Sequence, residues 1–330
     1  MSILHTPLTV KGLELKNRLV MPPMASARTS DGSVTQELCD YYAARTEGGC
    51  LGLVITEHSY ISPEGKASAN QVSISKDEDV EGLRRLVAAI HADGTPTIAQ
   101  INHAGGAAKP EVTGCRVLAP SAVALPRKEL VPEEMTRQDL RNLVQSFAAA
   151  ALRAKQAGYD GVEIHSAHGY LLNQFYSPLT NHRTDEYGGT NVQSRLRIHL
   201  EVIEAVRKAV GTDYPVALRL GACDYMEGGS TLEDAVEAAK ILEDAGVDLL
   251  DISGGFCSYV RPGVTGEGYF AELTAAIKKA VRIPVILTGG VVSASGAEKL
   301  LREDAADLIG VGRAIFKDAD WARNAMREEI

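Results

Sequence analysis

The sequence contains few cysteines, and none of them are paired in a metal-binding spacing. Its five cysteines are widely separated, and no Cys-x-x-Cys occurs. This pattern argues against a zinc knuckle and against the ligand run of an iron–sulfur cluster. We therefore expect reduced thiols, no metal site and a cytoplasmic location.

Long hydrophobic runs and an excess of basic residues are also absent. No stretch approaches the roughly 18 uncharged apolar residues of a membrane-spanning helix, and residues 1–10 do not resemble a signal peptide. The chain has 34 Lys and Arg against 43 Asp and Glu, a formal net charge of −9. Because nucleic-acid binding needs a basic surface, we expect neither nucleic-acid nor membrane partners. A local site can still bind an anion.

The sequence does contain an alternation of short apolar runs and amphipathic stretches. Runs such as Leu53-Val54-Ile55 are apolar throughout, which is typical of parallel strands covered on both faces. Eight such units predict an α/β fold, a single (β/α)8 TIM barrel. An open doubly wound sheet is the alternative, but it would normally carry a GxGxxG after the first strand, and none is there. The predicted strands are Arg18–Pro23, Gly52–His58, Thr95–Ile101, Gly161–His165, Pro215–Gly221, Asp248–Gly254, Pro284–Gly290 and Asp307–Arg313.

The amphipathic stretches carry helix start and stop signals. Thr231 precedes one of them, with Asp234 three residues on, as an N-cap would. Glycine follows four of them, at Gly94, Gly158, Gly211 and Gly246. The predicted helices are Thr35–Glu47, Asp79–Ala92, Arg137–Ala157, Val192–Val210, Leu232–Ala245, Ala271–Val281 and Ala294–Asp304.

No linker or low-complexity tract divides the chain, so residues 1–330 are predicted to form one domain. The main insertion follows the third strand, at about residues 102–134. It contains two apolar pieces around Val117 and Val123, and we expect it to form a small hairpin or a lid.

The fourth predicted strand ends in the densest cluster of titratable residues, His165, His168 and Tyr170. In a barrel, such residues at a strand's carboxyl end point to catalysis. Imidazoles can donate hydrogen bonds to an oxygen that gains negative charge, and a tyrosine can deliver a proton. A satisfied polar loop and a metal pair are the alternatives, although no third metal ligand stands out.

The seventh and eighth strands end in glycine loops that predict a phosphate site. Gly289, Gly290 and Gly312 would let backbone N–H groups approach phosphate oxygens, and Arg313 adds a charged donor. Simple turns are the alternative.

Two polar residues within the predicted strands complete the candidate site. Arg219 lies among apolar neighbours and needs a partner, either a core carboxylate or an anionic ring. Gln100 can both donate and accept hydrogen bonds, which suits an imide edge.

Longer motifs give the chain a specific resemblance. The run from His165 to Phe175 (HSAHGYLLNQF), then Ser177-Pro178, then NHRTDEYGG from Asn181, resembles the signature of the old yellow enzyme family. The opening LKNRLVMPPM from Leu15 and the closing GVGR from Gly310 also match. The resemblance covers essentially the whole chain.

This resemblance implies a flavoprotein, with non-covalent FMN as cofactor and NADH or NADPH as reductant. It implies roles for the site residues that are carried over one by one. Pro23, Met24 and Ala25 would line the flavin, Gln100 would bind its pyrimidine edge, Arg219 would lie near N1, and Gly289, Gly290, Gly312 and Arg313 would hold the phosphate.

The resemblance also implies an ene-reductase. His165 and His168 would bind the carbonyl or nitro oxygen of a small unsaturated substrate, and Tyr170 would protonate its α-carbon. An enoyl-thioester or dienoyl reductase and an amine dehydrogenase-like enzyme of the same family remain alternatives. So do a flavin-free aldolase or isomerase barrel and a flavin-binding protein without turnover. A homo-oligomer is left open.

The chain departs from the family at two cofactor-binding positions. Ala25 replaces a Thr or Cys that would hydrogen-bond flavin O4, and His58 stands after the second strand where a small residue is usual. Larger relatives continue into an iron–sulfur segment, whereas this chain ends after its eighth helix. We therefore expect the single-domain form, without an iron–sulfur cluster.

Overall fold

A computed structural model describes residues 2–328, in which eight parallel strands close into one barrel. Each strand pairs with its neighbours in the chain, and the last pairs with the first, so the predicted TIM barrel is confirmed and the open sheet is excluded. All eight apolar runs form the expected strands. They are β1 (Leu19–Met21), β2 (Leu53–Tyr60), β3 (Thr97–Asn102), β4 (Gly161–Ser166), β5 (Val216–Cys223), β6 (Leu249–Gly254), β7 (Val285–Thr288) and β8 (Leu308–Gly310).

Helices follow the strands and cover the outside of the barrel. They are α1 (Gln36–Thr46), α2 (Asp79–His91), α3 (Arg137–Ala157), α4 (Arg197–Val210), α5 (Leu232–Asp244), α6 (Ala271–Lys278), α7 (Ala294–Arg302), α8 (Arg313–Lys317) and α9 (Trp321–Ala325). None of the helices within residues 2–328 is long and apolar enough to cross a membrane.

The predicted helix ends are largely where the sequence signals put them. Thr231 and Asp234 form a reciprocal capping box at the start of α5, and Gly158 ends α3 in the left-handed conformation, with φ 96°. The helix predicted over Val192–Val210 is interrupted at Leu196. This residue, at φ −87° and ψ −2°, departs from ideal helical angles and separates the short helix Val192–Arg195 from α4.

The insertion after β3 does not form the expected hairpin. Its two short strands, Leu118–Ala119 and Glu133–Glu134, pair in parallel, whereas a hairpin would pair them antiparallel. The reason is a shared anchor: the Arg183 guanidinium donates to Pro120 O (3.0 Å) and Met135 O (2.8 Å), directly after each strand. Both strands therefore run towards the same side chain, in the loop that follows β4.

The barrel interior is divided into an apolar lower layer and a polar upper layer. An antiparallel hairpin, Leu8–Val10 with Leu13–Leu15, packs against the lower layer and closes the amino-terminal end. The lower layer is built from Val20, Leu53, Ile55, Ile98, Ala217, Leu249, Ile286 and Leu308. Polar side chains are consequently confined to the upper layer and the carboxyl-terminal mouth.

The hairpin plug predicts a difference between two leucines. Leu15 is fully buried, whereas Leu13 is only partly buried. Leu15→Ala should lower the free energy of unfolding by about 2–5 kcal/mol, because it leaves a cavity at the base of the barrel. Leu13→Ala should lower the free energy of unfolding clearly less. Denaturant titration of both variants measures these changes. Equal losses of unfolding free energy would contradict the claim that Leu15 is the side chain that closes the base of the barrel.

Candidate active site

The predicted catalytic residues meet at the carboxyl end of β4. His165 lies on the strand, and His168 and Tyr170 lie in the turn that follows it. The ring of His165 is 5.2 Å from that of His168 and 5.2 Å from that of Tyr170. The Tyr170 hydroxyl makes no hydrogen bond to a described residue, so it can contact a ligand.

The turn that carries His168 is strained and held by its neighbours. His168 has φ 60°, a left-handed conformation that is unfavourable for a residue with a side chain. Asn173 Oδ1 accepts from Gly169 N–H (2.7 Å), and Gln174 Nε2 donates to Gly169 O (2.7 Å). Sequence reasoning quoted Asn173 and Gln174 within a motif without giving them a role. Strain of this kind typically persists at functional sites.

The imidazoles of the cluster are neutral. Burial lowers the pKa of His165 well below its usual value, followed by the effects of His168, Arg219 and His58. Burial and then Arg219 lower the pKa of His168 in the same direction. Burial also raises the pKa of the Tyr170 hydroxyl, which therefore keeps its proton. At neutral pH, the cluster thus offers hydrogen-bond donors without a net charge of its own.

Both histidines keep ring nitrogens that no described residue engages. His165 Nδ1 is buried without a hydrogen-bond partner, and His165 Nε2 likewise forms no hydrogen bond to a described residue. Ser253 Oγ lies 2.7 Å from His168 Nε2, so Nδ1 is the nitrogen of His168 that remains. Within residues 2–328, no group of three or more His, Cys, Asp or Glu side chains could hold a metal ion.

Arg219 lies at the same level of the barrel as His165. The strand register aligns His165, Arg219 and Asp251 across β4, β5 and β6. Arg219 Nε is 3.2 Å from Asp251 Oδ2, and both side chains are buried. The core carboxylate considered from the sequence is therefore present. However, the guanidinium forms no hydrogen bond to another described residue, which leaves its donors unused.

Gln100 is oriented by a carboxyl group that sequence reasoning missed. Its Nε2 donates to Glu163 Oε1 (2.8 Å), and Glu163 Oε2 is buried without a partner. Burial, reinforced by Asp251, raises the pKa of Glu163 well above its usual value, although Arg219 opposes the shift. The available signal was an acidic residue two positions before His165 in a strand buried on both faces.

The predicted glycine loops lie next to each other, because β7 and β8 pair up to Thr288 and Gly310. Gly290 has φ 76°, and a Cβ there would lie 2.5 Å from the Tyr269 ring. A Cβ on Gly312 would lie 3.3 Å from Met24 Sδ, which brings the loop after β1 to the same place. Arg313 is exposed, and its Nη2 donates to Tyr269 Oη (3.3 Å). The predicted phosphate-site residues are thus brought together.

The loop after β1 is fixed by another buried carboxyl group, that of Glu57. Ser26 donates to Glu57 through its backbone N–H (3.2 Å) and its hydroxyl (2.6 Å). Ala25, with Pro23 and Met24 before it, is therefore held at the mouth and is itself exposed.

His58 lies on β2 rather than after it, because this strand extends to Tyr60. The register between β2 and β3 shifts between Thr56 and Ser59, and such bulges re-aim side chains. The His58 ring is 5.4 Å from Tyr170 and 6.2 Å from His165. The structure therefore places His58 beside the predicted catalytic residues.

Known sequences resemble this chain along its length. The model of the NADH:flavin oxidoreductase / NADH oxidase family matches residues 3–329. An NADH oxidase of Thermoanaerobacter brockii is 41% identical over 323 residues, which cover 96% of this chain and 49% of that protein. An NADPH dehydrogenase of Geobacillus sp. (strain WCH70) is 38% identical over 329 residues, which cover 99% of this chain and 94% of that protein. The chain spans about half the length of the first relative.

Solved structures share the fold. A 2-naphthoyl-CoA reductase in complex with 2-naphthoyl-CoA has a TM-score of 0.91 and 29% identity, over 98% of this chain and 52% of that one. The old yellow enzyme homologue from Zymomonas mobilis has a TM-score of 0.85 and 30% identity, over 97% and 91%.

A closed parallel barrel with titratable residues at its carboxyl end defines a TIM-barrel protein. Within that class, the chain belongs to the NADH:flavin oxidoreductase / NADH oxidase family, the family of the old yellow enzymes. The family resemblance drawn from the sequence motifs is confirmed.

The lowered histidine pKa values predict how stability depends on pH. The pKa of His58 is lowered from 6.5 to about 4, first by burial and then by Arg219. Between these values the unfolded chain binds a proton that the folded protein does not, so stability falls as pH decreases from 6.5 to about 4. His58→Gln should remove up to about 1.4 kcal/mol per pH unit from this slope. Exposed His182→Gln is the control, and an unchanged slope in His58→Gln would contradict the assignment.

Proposed function

We propose that this protein is an FMN-dependent NAD(P)H oxidoreductase that reduces activated C=C bonds of α,β-unsaturated carbonyl or nitro compounds. The observation that carries the proposal is a buried guanidinium with unused donors, Arg219, at the level of His165, whose ring lies 5.2 Å from that of Tyr170. A cation that needs an electron-rich partner thus lies next to neutral proton donors.

The residues at the mouth fit a flavin mononucleotide. Arg219 would face its electron-rich edge, Gln100 its pyrimidine ring, and the backbone of Pro23, Met24 and Ala25 its side. Space next to Arg313 is kept open by the absence of side chains at Gly289, Gly290 and Gly312. Such a pair of glycine loops suits the binding of one phosphate group. When bound, the flavin supplies hydride exchange with the nicotinamide and with the substrate.

The chain's own residues would then orient and protonate the substrate. His165 and His168 donate hydrogen bonds to the carbonyl or nitro oxygen, and they do so as neutral groups because burial lowers their pKa values. Tyr170 holds its proton at Oη, since burial raises its pKa, and delivers it to the α-carbon.

A larger acyl substrate is the second candidate. The loop after β6 exposes Tyr259, Val260 and Val264, and the Tyr259 ring is 6.2 Å from that of His168. An apolar rim at this distance from the oxygen-binding residues would suit an enoyl thioester. The structural similarity to a protein that binds 2-naphthoyl-CoA also favours this class.

The cofactor assignment predicts a yellow protein. Purified protein should release FMN on denaturation, in a ratio close to one per chain, without covalent attachment. Mass spectrometry of the released compound measures this. FAD, or no flavin after reconstitution with FMN, would overturn the assignment.

The proton donor predicts a difference between the two half-reactions. Tyr170→Phe should leave reduction by NADH or NADPH nearly unchanged, because that step needs no proton from Tyr170. Saturation of an enone should slow by roughly 10²–10⁴-fold. Stopped-flow measurement of each half-reaction, with enones, nitroalkenes and enoyl thioesters compared, tests both the role and the substrate class. Equal slowing of both half-reactions would refute the role of Tyr170.

A further inference from the structure

His58 has unusual surroundings for a residue that merely lines a cofactor. It is half-buried on the bulged strand β2, and its ring and that of His165 flank Tyr170. Its Nδ1 atom lies 2.8 Å from Gln71 Nε2 and 3.2 Å from Asn102 Nδ2. One nitrogen of the imidazole is thus engaged by two side-chain amides.

The orientation of the Gln71 amide is fixed by the backbone. Gln71 Oε1 accepts a hydrogen bond from Ala67 N–H at 2.6 Å, so its Nε2 must face His58. The same Nε2 group also donates to the His58 carbonyl oxygen (3.2 Å). Gln71 is therefore a donor to His58 Nδ1 and cannot be an acceptor there.

This contact determines where the imidazole proton lies. A ring nitrogen that accepts a hydrogen bond carries no proton, so the proton of neutral His58 is on Nε2. A second proton is not taken up at neutral pH, because burial and Arg219 lower the pKa to about 4. Nε2–H makes no hydrogen bond to another described residue.

We propose that His58 is a further hydrogen-bond donor of the active site, acting through Nε2–H on an electron-rich oxygen, and that Gln71 is its positioning residue. The oxygen would belong to the substrate, beside the donors His165 and Tyr170, or to a flavin carbonyl. The role in substrate binding rests on the proposed function, whereas the position of the proton does not.

The first experiment locates the proton. Protein labelled with ¹⁵N-histidine and loaded with its cofactor is examined by long-range ¹⁵N–¹H correlation NMR, and His58 is assigned by the signal lost in His58→Gln. We expect the neutral tautomer with its proton on Nε2. A proton on Nδ1, or a doubly protonated ring at neutral pH, would overturn the proposal without any variant of Gln71.

The second experiment reverses the contact. Gln71→Glu keeps the acceptor for Ala67 N–H but replaces the donor to His58 by an acceptor, which should move the proton of the neutral ring to Nδ1. Because the carboxylate also raises the pKa of His58, binding is measured at a pH at which the same NMR experiment shows a singly protonated ring. Asn70→Asp is the matched control, because it places the same charge one residue away, on an exposed side chain without contact to His58. Gln71→Glu should weaken binding of 4-nitrophenolate by about 10- to 100-fold and raise the apparent pKa of the bound phenol. Asn70→Asp should do neither.

Two further measurements identify the accepting oxygen and separate a positioning role from a structural one. A loss of phenolate binding in Gln71→Glu assigns the donor to the ligand, and a lowered flavin midpoint potential assigns it to the flavin. His58→Gln, whose amide offers a donor and an acceptor in similar places, should retain more of either property than His58→Leu. Equal behaviour of Gln71→Glu and Asn70→Asp in both properties would overturn the proposal. Failure to reduce any alkene would count against the proposed function alone.

Discussion

One buried cation sets the electrostatics of the whole site. Arg219 has the carboxylate of Asp251 beside it, and it acts on the three histidines of the cluster, lowering the pKa of each. The same charge partly offsets the burial that raises the pKa values of Glu163 and Asp251. The site therefore combines neutral histidine donors with one guanidinium, that of Arg219, at the level of His165. A barrel with an uncharged residue at 219 would lose the guanidinium and part of each histidine pKa shift, whereas burial would still lower these pKa values.

The barrel architecture allows this arrangement because stability and chemistry occupy different layers. The lower interior is apolar and closed by the amino-terminal hairpin, so it can be packed without regard to the site. Strained backbone is concentrated at the mouth: of the seven non-glycine residues with positive φ in the described part of the chain, Ala27, His168, Tyr225 and Ser258 lie in the loops after β1, β4, β5 and β6. Such conformations cost roughly 1–3 kcal/mol each and persist only when their surroundings hold them.

The sequence predicted what is local and missed what depends on distant contacts. Apolar runs placed all eight strands, and motif positions gathered the histidines, the tyrosine and the glycine loops. Periodicity could not show that Arg183 turns the insertion into a parallel pair, because the anchored carbonyls lie about 50 and 60 residues before it. The partners of Gln100 and His58 were likewise hidden, since each contact joins residues from different segments.

The bulge in β2 has a consequence for variation at this site. Glu57 anchors the loop that carries Ala25, and His58, its covalent neighbour, points into the cluster. Inserting or deleting one residue in this strand would exchange the two faces and displace the anchor and the imidazole together. A substitution at Glu57 or at His58 therefore changes one of these contacts at a time, whereas a change in the length of the strand changes both.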